Sequence, residues 1–506
     1  MTSSGTAGAA VAPALAPGDI VEIVCTDLIA KTGQAVGRAG GMVVYVLGPV
    51  PPERARVRIE TVKAKYAVAD LVELLDRSPD RVEPFCGVFG TCGGCQVQHL
   101  AYGAQLHWKR GIVDNALRRL GRIEDAHVAL PVGMDDPRAY RNKMALVVTK
   151  LQSAGTPAAP GGSVTPAAPG GSVTPAALGG SVAHAAPAQT VLGFYAARTH
   201  DIVPIETCPI VMPQLDRAIA GLWDAARDPA TARAFDGARH VIARAGRSSG
   251  EGVVSITTER PSLGLKAVAS KLAEKLPGTV GISNSFEPPS DNAVMGRKNS
   301  TLFGKAEMHE EIDGVRFRVS PASFFQVNSE MVGKIFAHLA PQVRTVERII
   351  DLYCGAGTFT LFFAKHGARV VGIEENPHAV REARANAVLN GLEAKTTFVN
   401  GRVDAMLRAK AGSDALAAAD VVFLDPPRKG SDEMTLDTLV RARVPHVWYL
   451  SCNPATLARD LAQLVAGGYR VGAVQPFDMF PQTGHIEALA AVHRADLAPL
   501  IPIVEG

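Results

Sequence analysis

From Arg344 onward, short apolar runs of strand composition alternate with helical stretches, and this alternation restricts the fold more than any other feature of the chain. Val346-Glu-Arg-Ile-Ile reads as strand, Thr358 to His366 as helix and Arg369 to Ile373 as strand. Pro377 opens a further helix at its first position and Gly391 closes it. Val421 to Leu424 and His446 to Leu450 are uninterrupted runs of the kind found in strands buried on both faces. The series predicts a parallel sheet with helices on both sides, an α/β Rossmann-like unit over residues 321–506.

In such a sheet, ligands bind beyond the carboxyl ends of the strands. Three motifs fall at those ends. In Asp351-Leu-Tyr-Cys-Gly-Ala-Gly the glycines permit a tight turn and close approach to a ligand. Glu374 follows at the end of the next strand, where an acid can take ribose hydroxyls. The third glycine of a dinucleotide loop is missing, so S-adenosylmethionine is the expected ligand, with NAD the alternative. Asp425-Pro-Pro-Arg-Lys-Gly ends the Val421 to Leu424 run, and its alternative reading is a plain turn with a solvent-facing Asp. Cys452 ends the next strand, among turn residues Ser451, Asn453 and Pro454. A core cysteine is normally an inert small hydrophobe, and this setting is not a core. Glu487, in Gly484-His-Ile-Glu, precedes a last strand at Ala488 to Val492 and on position alone reads equally as a surface residue. Together these parts supply a thiol nucleophile, a carboxylate base and a nucleotide-cofactor loop. They suit addition to a weakly electrophilic ring, methyl transfer and proton removal, and so point to methylation of a pyrimidine carbon.

The 506-residue length calls for two to four domains. Apolar residues make up 47% and charged residues 20%, and no apolar run reads as a membrane span. Residues 1–16 read as a loose tail without the basic start of a signal peptide, so a cytoplasmic chain is expected. Residues 17–75 carry short alternating strands split by Gly40-Gly41 and Pro51-Pro52, the pattern of an all-β, OB-like barrel. Between Lys31 and Lys65 seven bases face two acids, an excess that could track phosphates. Residues 76–320 read as a central α+β region with a helix from Tyr102 to Leu120 and strands at 144–149 and 191–196. Between those strands, residues 152–188 hold three copies of a nine-residue Thr-Pro-Ala-Ala repeat, expected as a disordered insertion. Cys86, Cys92 and Cys95 form a tight cluster, and Cys208 lies in Glu206-Thr-Cys-Pro. Four thiolates suit either zinc or an iron–sulfur cube, and the spacing is irregular for a zinc ribbon.

Phe324-Phe-Gln-Val-Asn, Asp351-Leu-Tyr-Cys-Gly-Ala-Gly, Asp425-Pro-Pro-Arg, Ser451-Cys-Asn-Pro and His485-Ile-Glu together resemble the RNA (uracil-5-)-methyltransferase family, ribosomal RNA branch. The amino-terminal strands resemble its TRAM domain, and Cys86-x5-Cys-Gly-Gly-Cys-Gln-Val-Gln resembles its iron–sulfur segment. The resemblance implies a class I methyltransferase domain, S-adenosylmethionine and a 4Fe-4S cluster on Cys86, Cys92, Cys95 and Cys208. It implies Cys452 as nucleophile and Glu487 as base. Gln326, Tyr353, Glu374 and Asp425 would contact the cofactor or position the base, Asp404 would lie at the adenine end, and Phe324 would stack on a flipped uracil. Thr358 departs from the Asn of many tRNA-branch members. The substrate implied is 23S rRNA; the alternatives are a tRNA T-loop methyltransferase and a non-catalytic RNA-binding iron–sulfur protein. No protein partner is implied and a monomer is expected.

Overall fold

The computed structural model describes residues 15–151, 189–290 and 293–501. The repeat and residues 1–14 of the tail lie outside the described residues.

The amino-terminal strands form one six-stranded sheet in the order Ile20–Val24, Arg54–Val62, Tyr66–Asp76, Met42–Val46, Ala35–Ala39, Asp27–Leu28. Alternation in Arg54–Val62 buries Ala55, Val57 and Ile59 on one face and sends arginines to the other. The sheet curls: a side chain at Gly37 would stand 2.8 Å from Ile23, on a strand several places away. The basic excess is smaller in space than in sequence. Arg54 pairs with Glu22 at 3.1 Å and Asp76 at 3.2 Å, and Arg56 pairs with Glu22 and Glu73, acids outside the Lys31 to Lys65 window.

A seven-stranded sheet occupies the middle of the chain, with Lys143–Leu151 and Gln189–Tyr195 as an antiparallel pair. Helices Pro213–Arg227 and Leu265–Lys275 pack on it through Leu215, Ile219, Leu222, Val268 and Leu272.

The carboxyl-terminal sheet has eight strands. Thr396–Asn400, Arg369–Glu374, Arg348–Leu352, Val421–Leu424 and His446–Ser451 run parallel in that spatial order. The order reverses between Arg348–Leu352 and Val421–Leu424, which defines the switch point. Glu487–Arg494 then adds antiparallel to His446–Ser451, followed by Tyr469–Phe477 and the short His127–Val128. Packing crosses the boundaries drawn from sequence. Helix Tyr102–Arg119 buries Val113, Ala116 and Leu117 in the core of this sheet. The ribbon Met308–Ile312 and Val315–Val319 buries Met308, Val315 and Phe317 beneath helix Ser329–Val343.

Pairing of the middle hairpin extends to Leu151 and Gln189, the described residues on either side of the repeat. Closure of a loose connection changes by only about 0.6 kcal/mol per doubling of length, so deleting Thr156 to Val182 should alter the unfolding free energy by less than about 1 kcal/mol. Denaturant unfolding of the deletion variant checks this, and a loss of several kcal/mol would mean that the repeat belongs to the folded core.

Candidate active site

Tyr353, Asp425 and Cys452 each follow the last residue of a parallel strand, and these three strands are neighbours in the sheet. After Leu352, Tyr353 takes a left-handed backbone (φ 65°), and Gly355 (φ 55°) and Gly357 (φ 85°) repeat that conformation before helix Thr358–Lys365. Left-handed backbone is strained for a tyrosine and open to glycine. A Cβ at Gly355 would meet nothing within 4 Å, so the loop backbone faces free space. Tyr353 hydroxyl lies 3.1 Å from Ser431 Oγ. Glu374 accepts from the Gly355 N–H at 3.1 Å and from the Asn376 N–H at 2.7 Å, fixing it across the mouth of the loop. Asp404 lies in the first turn of helix Val403–Arg408 and is held by Arg402 at 3.1 Å and Arg408 at 3.0 Å.

Asp425 follows Val421–Leu424, and the Gln326 side-chain amide donates to it at 3.5 Å. Gln326 is itself held from the middle region, because the Asn142 side-chain amide donates to its carbonyl at 2.9 Å. Phe324, two residues earlier, is 76% exposed, unlike its neighbour Phe325, which is buried against Phe317. Cys452 follows His446–Ser451 and is half-buried. Asn453 caps helix Pro454–Ala466 with its side-chain oxygen, and its amide donates to the Arg428 carbonyl at 2.9 Å, tying the Cys452 turn to the Asp425-Pro-Pro-Arg turn. Glu487 comes from the opposite chain direction. Because Ser451 pairs with Ala488 in an antiparallel register, the start of Glu487–Arg494 lies at the same sheet end as Cys452. Glu487 is only 4% exposed.

The cleft is acidic. Burial, with the charge of Asp425, holds the Glu487 carboxyl well above the usual range. Burial likewise pushes Asp425 up to about 7. Burial pushes Asp351 up to about 8, with Asp425 and Glu374 adding repulsion, while Thr360 donates to its carboxylate. The Cys452 thiol is pushed up to about 11 by burial, then by Glu487 and Asp425; Arg428 opposes this. Such a cluster favours a cationic ligand, which would relieve both burial and repulsion. Two residues inside the quoted motifs were given no role from sequence. The charge of Arg428 favours the ionised forms of the Cys452 thiol and the Glu487 carboxyl. The His485 ring lies 5.9 Å from Phe480, and burial followed by Arg428, Lys109 and Arg141 pulls it down to about 4, so it is neutral. Neither role has a signal in spacing; both depend on which strands become neighbours.

Cys86, Cys92, Cys95 and Cys208 line one cavity of about 880 Å³, together with Gly93, Gly94, Phe89 and Arg141. Burial pushes Cys95 up to about 12 and Cys208 up to about 11; Cys95 also feels the charge of the other three cysteines and Cys208 that of Cys92 and Cys86. The four are free thiols, and among the described residues no three His, Cys, Asp or Glu side chains are drawn together as a metal ligand set. No helix among the described residues is long and apolar enough to cross a membrane.

Glu487 sets a pH dependence whose sign can be worked out. Its carboxyl is held higher in the folded than in the unfolded chain. Its stabilising share is therefore full below the unfolded value and is lost as pH rises towards the folded one. Glu487→Gln has no charge to bury. The variant should match the parent near pH 4 and become increasingly more stable than it as pH rises through neutrality, measured by denaturant unfolding across pH. An equal or lower stability at pH 8 would contradict the placement of Glu487 as a buried acid.

Comparison with known proteins agrees with this geometry. Residues 305–494 match the tRNA (uracil-5-)-methyltransferase family model. An uncharacterized RNA methyltransferase of Halalkalibacterium halodurans is 34% identical over 487 residues, covering 94% of this chain and 97% of that protein. A second, from Thermosynechococcus vestitus, is 33% identical over 474 residues, covering 92% and 96%. The crystal structure of Pyrococcus abyssi tRNA (uracil-54, C5)-methyltransferase with S-adenosyl-L-homocysteine has a TM-score of 0.68 at 24% identity, covering 93% of this chain and all of that one, which shows a shared fold. From these matches and the strand-end cleft together, the chain belongs to the RNA (uracil-5-)-methyltransferase family.

Proposed function

We propose that this protein methylates C5 of a uridine in RNA, with Cys452 as nucleophile and Glu487 as base. The observation that carries the reading is that the ends of two neighbouring parallel strands and the start of an antiparallel one meet at one sheet end, with Asp425 and Glu487 close enough to raise the Cys452 thiol and Asp425 close enough to raise Glu487. S-adenosylmethionine supplies a methyl group on a sulfonium cation. The acidic cleft suits that cation, the open backbone at Gly355 suits close approach, and Glu374 beside it suits ribose hydroxyls. Tyr353, Gln326 and Asp425 line the proposed contact, with Asp404 towards the adenine end. The Pyrococcus abyssi neighbour holds the demethylated form of the same compound.

Uracil C5 is a weak nucleophile. Addition of the Cys452 sulfur to C6, with loss of the thiol proton to solvent, turns the ring into an enolate, and C5 then takes the methyl group as the methyl–sulfonium bond breaks and its electron pair stays on the donor sulfur. Glu487 removes the C5 proton, the electron pair of that bond restores the ring double bond, and the C6–sulfur bond breaks. Covalent catalysis thereby divides one hard step into easier ones. The base must leave its stack to enter the cleft, and the exposed Phe324 ring beside Gln326 is suited to stack on it.

The four cavity cysteines fit a 4Fe-4S cluster in donor type and number. Cys86, Cys92, Cys95 and Cys208 would hold it, and it would join the 86–95 segment to Glu206-Thr-Cys-Pro. This segment is the reason to name 23S rRNA as substrate. The second reading is tRNA, which the names of the matching family model and of the Pyrococcus abyssi neighbour favour.

Cys452→Ala should lose methyl transfer while retaining donor binding by calorimetry. Glu487→Gln should accumulate a covalent RNA adduct on a denaturing gel, since only the last proton transfer is blocked. Near-normal turnover in the first variant, or turnover without adduct in the second, contradicts the assignment. Labelled methyl donor with separate rRNA and tRNA pools decides the substrate. Anaerobically purified protein should be brown with about four iron atoms per chain; stoichiometric zinc without iron would overturn the cluster.

A further inference from the structure

The loop that delivers Glu487 is not held by its own sheet. Residues 478–486 connect Tyr469–Phe477 to Glu487–Arg494, and Phe477 pairs with Glu487, so the base sits where the loop rejoins the sheet. Successive loop residues are gripped from distant parts of the chain. Lys109, fully buried, donates to Asp478 at 2.6 Å and to the Phe480 carbonyl at 3.1 Å. Asn328 donates to the Met479 carbonyl at 3.2 Å, and the Tyr140 hydroxyl to the Pro481 carbonyl at 3.1 Å.

Gln482 is the tip of this arrangement. It is 3% exposed and takes a left-handed backbone (φ 69°), a conformation that persists in a non-glycine residue only where its surroundings impose it. Its carbonyl accepts from the N–H groups of both Gln96 and Val97, the two residues after Cys95. Its side-chain oxygen accepts from the Gln105 amide at 2.9 Å, and its own N–H donates to Gln105 Oε1 at 3.1 Å. Gln105 is 1% exposed, and the two hydrogens of its amide nitrogen are shared among the Gln482 side-chain oxygen and the Val97 and Leu100 carbonyls at 3.1 and 2.8 Å, which ties the loop tip to the segment before the helix.

We propose that the Gln105 side-chain amide, paired with the side-chain oxygen and backbone N–H of Gln482, is a positioning latch that aims the Glu487 carboxylate at the C5 proton, so that helix Tyr102–Arg119 acts on the last step of the reaction. The proposal rests on Glu487 being the base. Neither glutamine touches the reacting atoms. Opening the latch leaves Cys452 addition and methylation in place and slows only proton removal.

The test uses full-length Gln482→Ala, Gln105→Ala, the double variant and Glu487→Gln, with the same RNA substrate and methyl donor. Each latch variant should turn over about tenfold more slowly, equivalent to about 1.4 kcal/mol. Each should also build up the methylated RNA–Cys452 adduct that the parent does not, with donor affinity unchanged. The double variant should be no slower than the slower single one, as for two residues acting through one contact. Gln105→Ala carries the test alone if Gln482→Ala does not fold. Slow turnover without adduct, weakened donor binding or additive losses would overturn the latch and leave a purely structural contact. Absence of adduct in Glu487→Gln would overturn the assignment of the base instead.

Discussion

The antiparallel placement of Glu487–Arg494 beside His446–Ser451 is the constraint on which the site depends. A purely parallel sheet puts strand starts at one end and strand finishes at the other. With a parallel final strand, Cys452 and Glu487 would sit at opposite ends of the sheet. Antiparallel entry brings the first residue of one strand to the finish of its neighbour, and the Ser451 to Ala488 register sets Cys452 and Glu487 one residue beyond the same rung. The rest of the carboxyl-terminal unit serves that rung. Asn453 ties it to the Asp425 turn, and the Gly355 loop opens beside them.

This arrangement is costly for folding and useful for chemistry. Asp351, Asp425 and Glu487 are carboxyl groups held above their ordinary range by burial, and a thiol shares the space. Replacing them with neutral groups would stabilise the fold, whereas a sulfonium ligand turns the same repulsion into attraction. The buried Lys109–Asp478 pair belongs to the same pattern. Loss of one partner would strand a charge in the core, so the loop and helix Tyr102–Arg119 are committed to one another.

Much of this could be read in the sequence where local rules apply. Val421–Leu424 begins and ends where its apolar run does, and Pro377–Asn390 starts at proline and stops at a left-handed Gly391. The strand-end motifs were legible because a parallel sheet collects its finishes on one edge. The neighbours of each strand were not. Glu487 reads equally as a surface residue until antiparallel pairing buries it, and Arg428 gains its role only when its turn meets that of Cys452. The basic stretch looked stronger than it is because Glu22, Glu73 and Asp76, outside the window, fold back onto Arg54 and Arg56. The helix Tyr102–Arg119 packs on the carboxyl-terminal sheet, and its Lys109 and Gln105 bind residues more than 350 positions away. No periodicity in the chain announces such contacts.

The central claim is that Cys452 bonds to the pyrimidine ring while Glu487 waits for the C5 proton. The most direct measurement replaces that proton with fluorine, which a carboxylate cannot abstract. Incubation with methyl donor and RNA containing 5-fluorouridine, followed by protease digestion and mass spectrometry, should yield one cross-linked peptide, with the methylated fluoropyrimidine on Cys452. A cross-link on another residue would contradict the account. So would none at all from an enzyme that methylates the unsubstituted RNA.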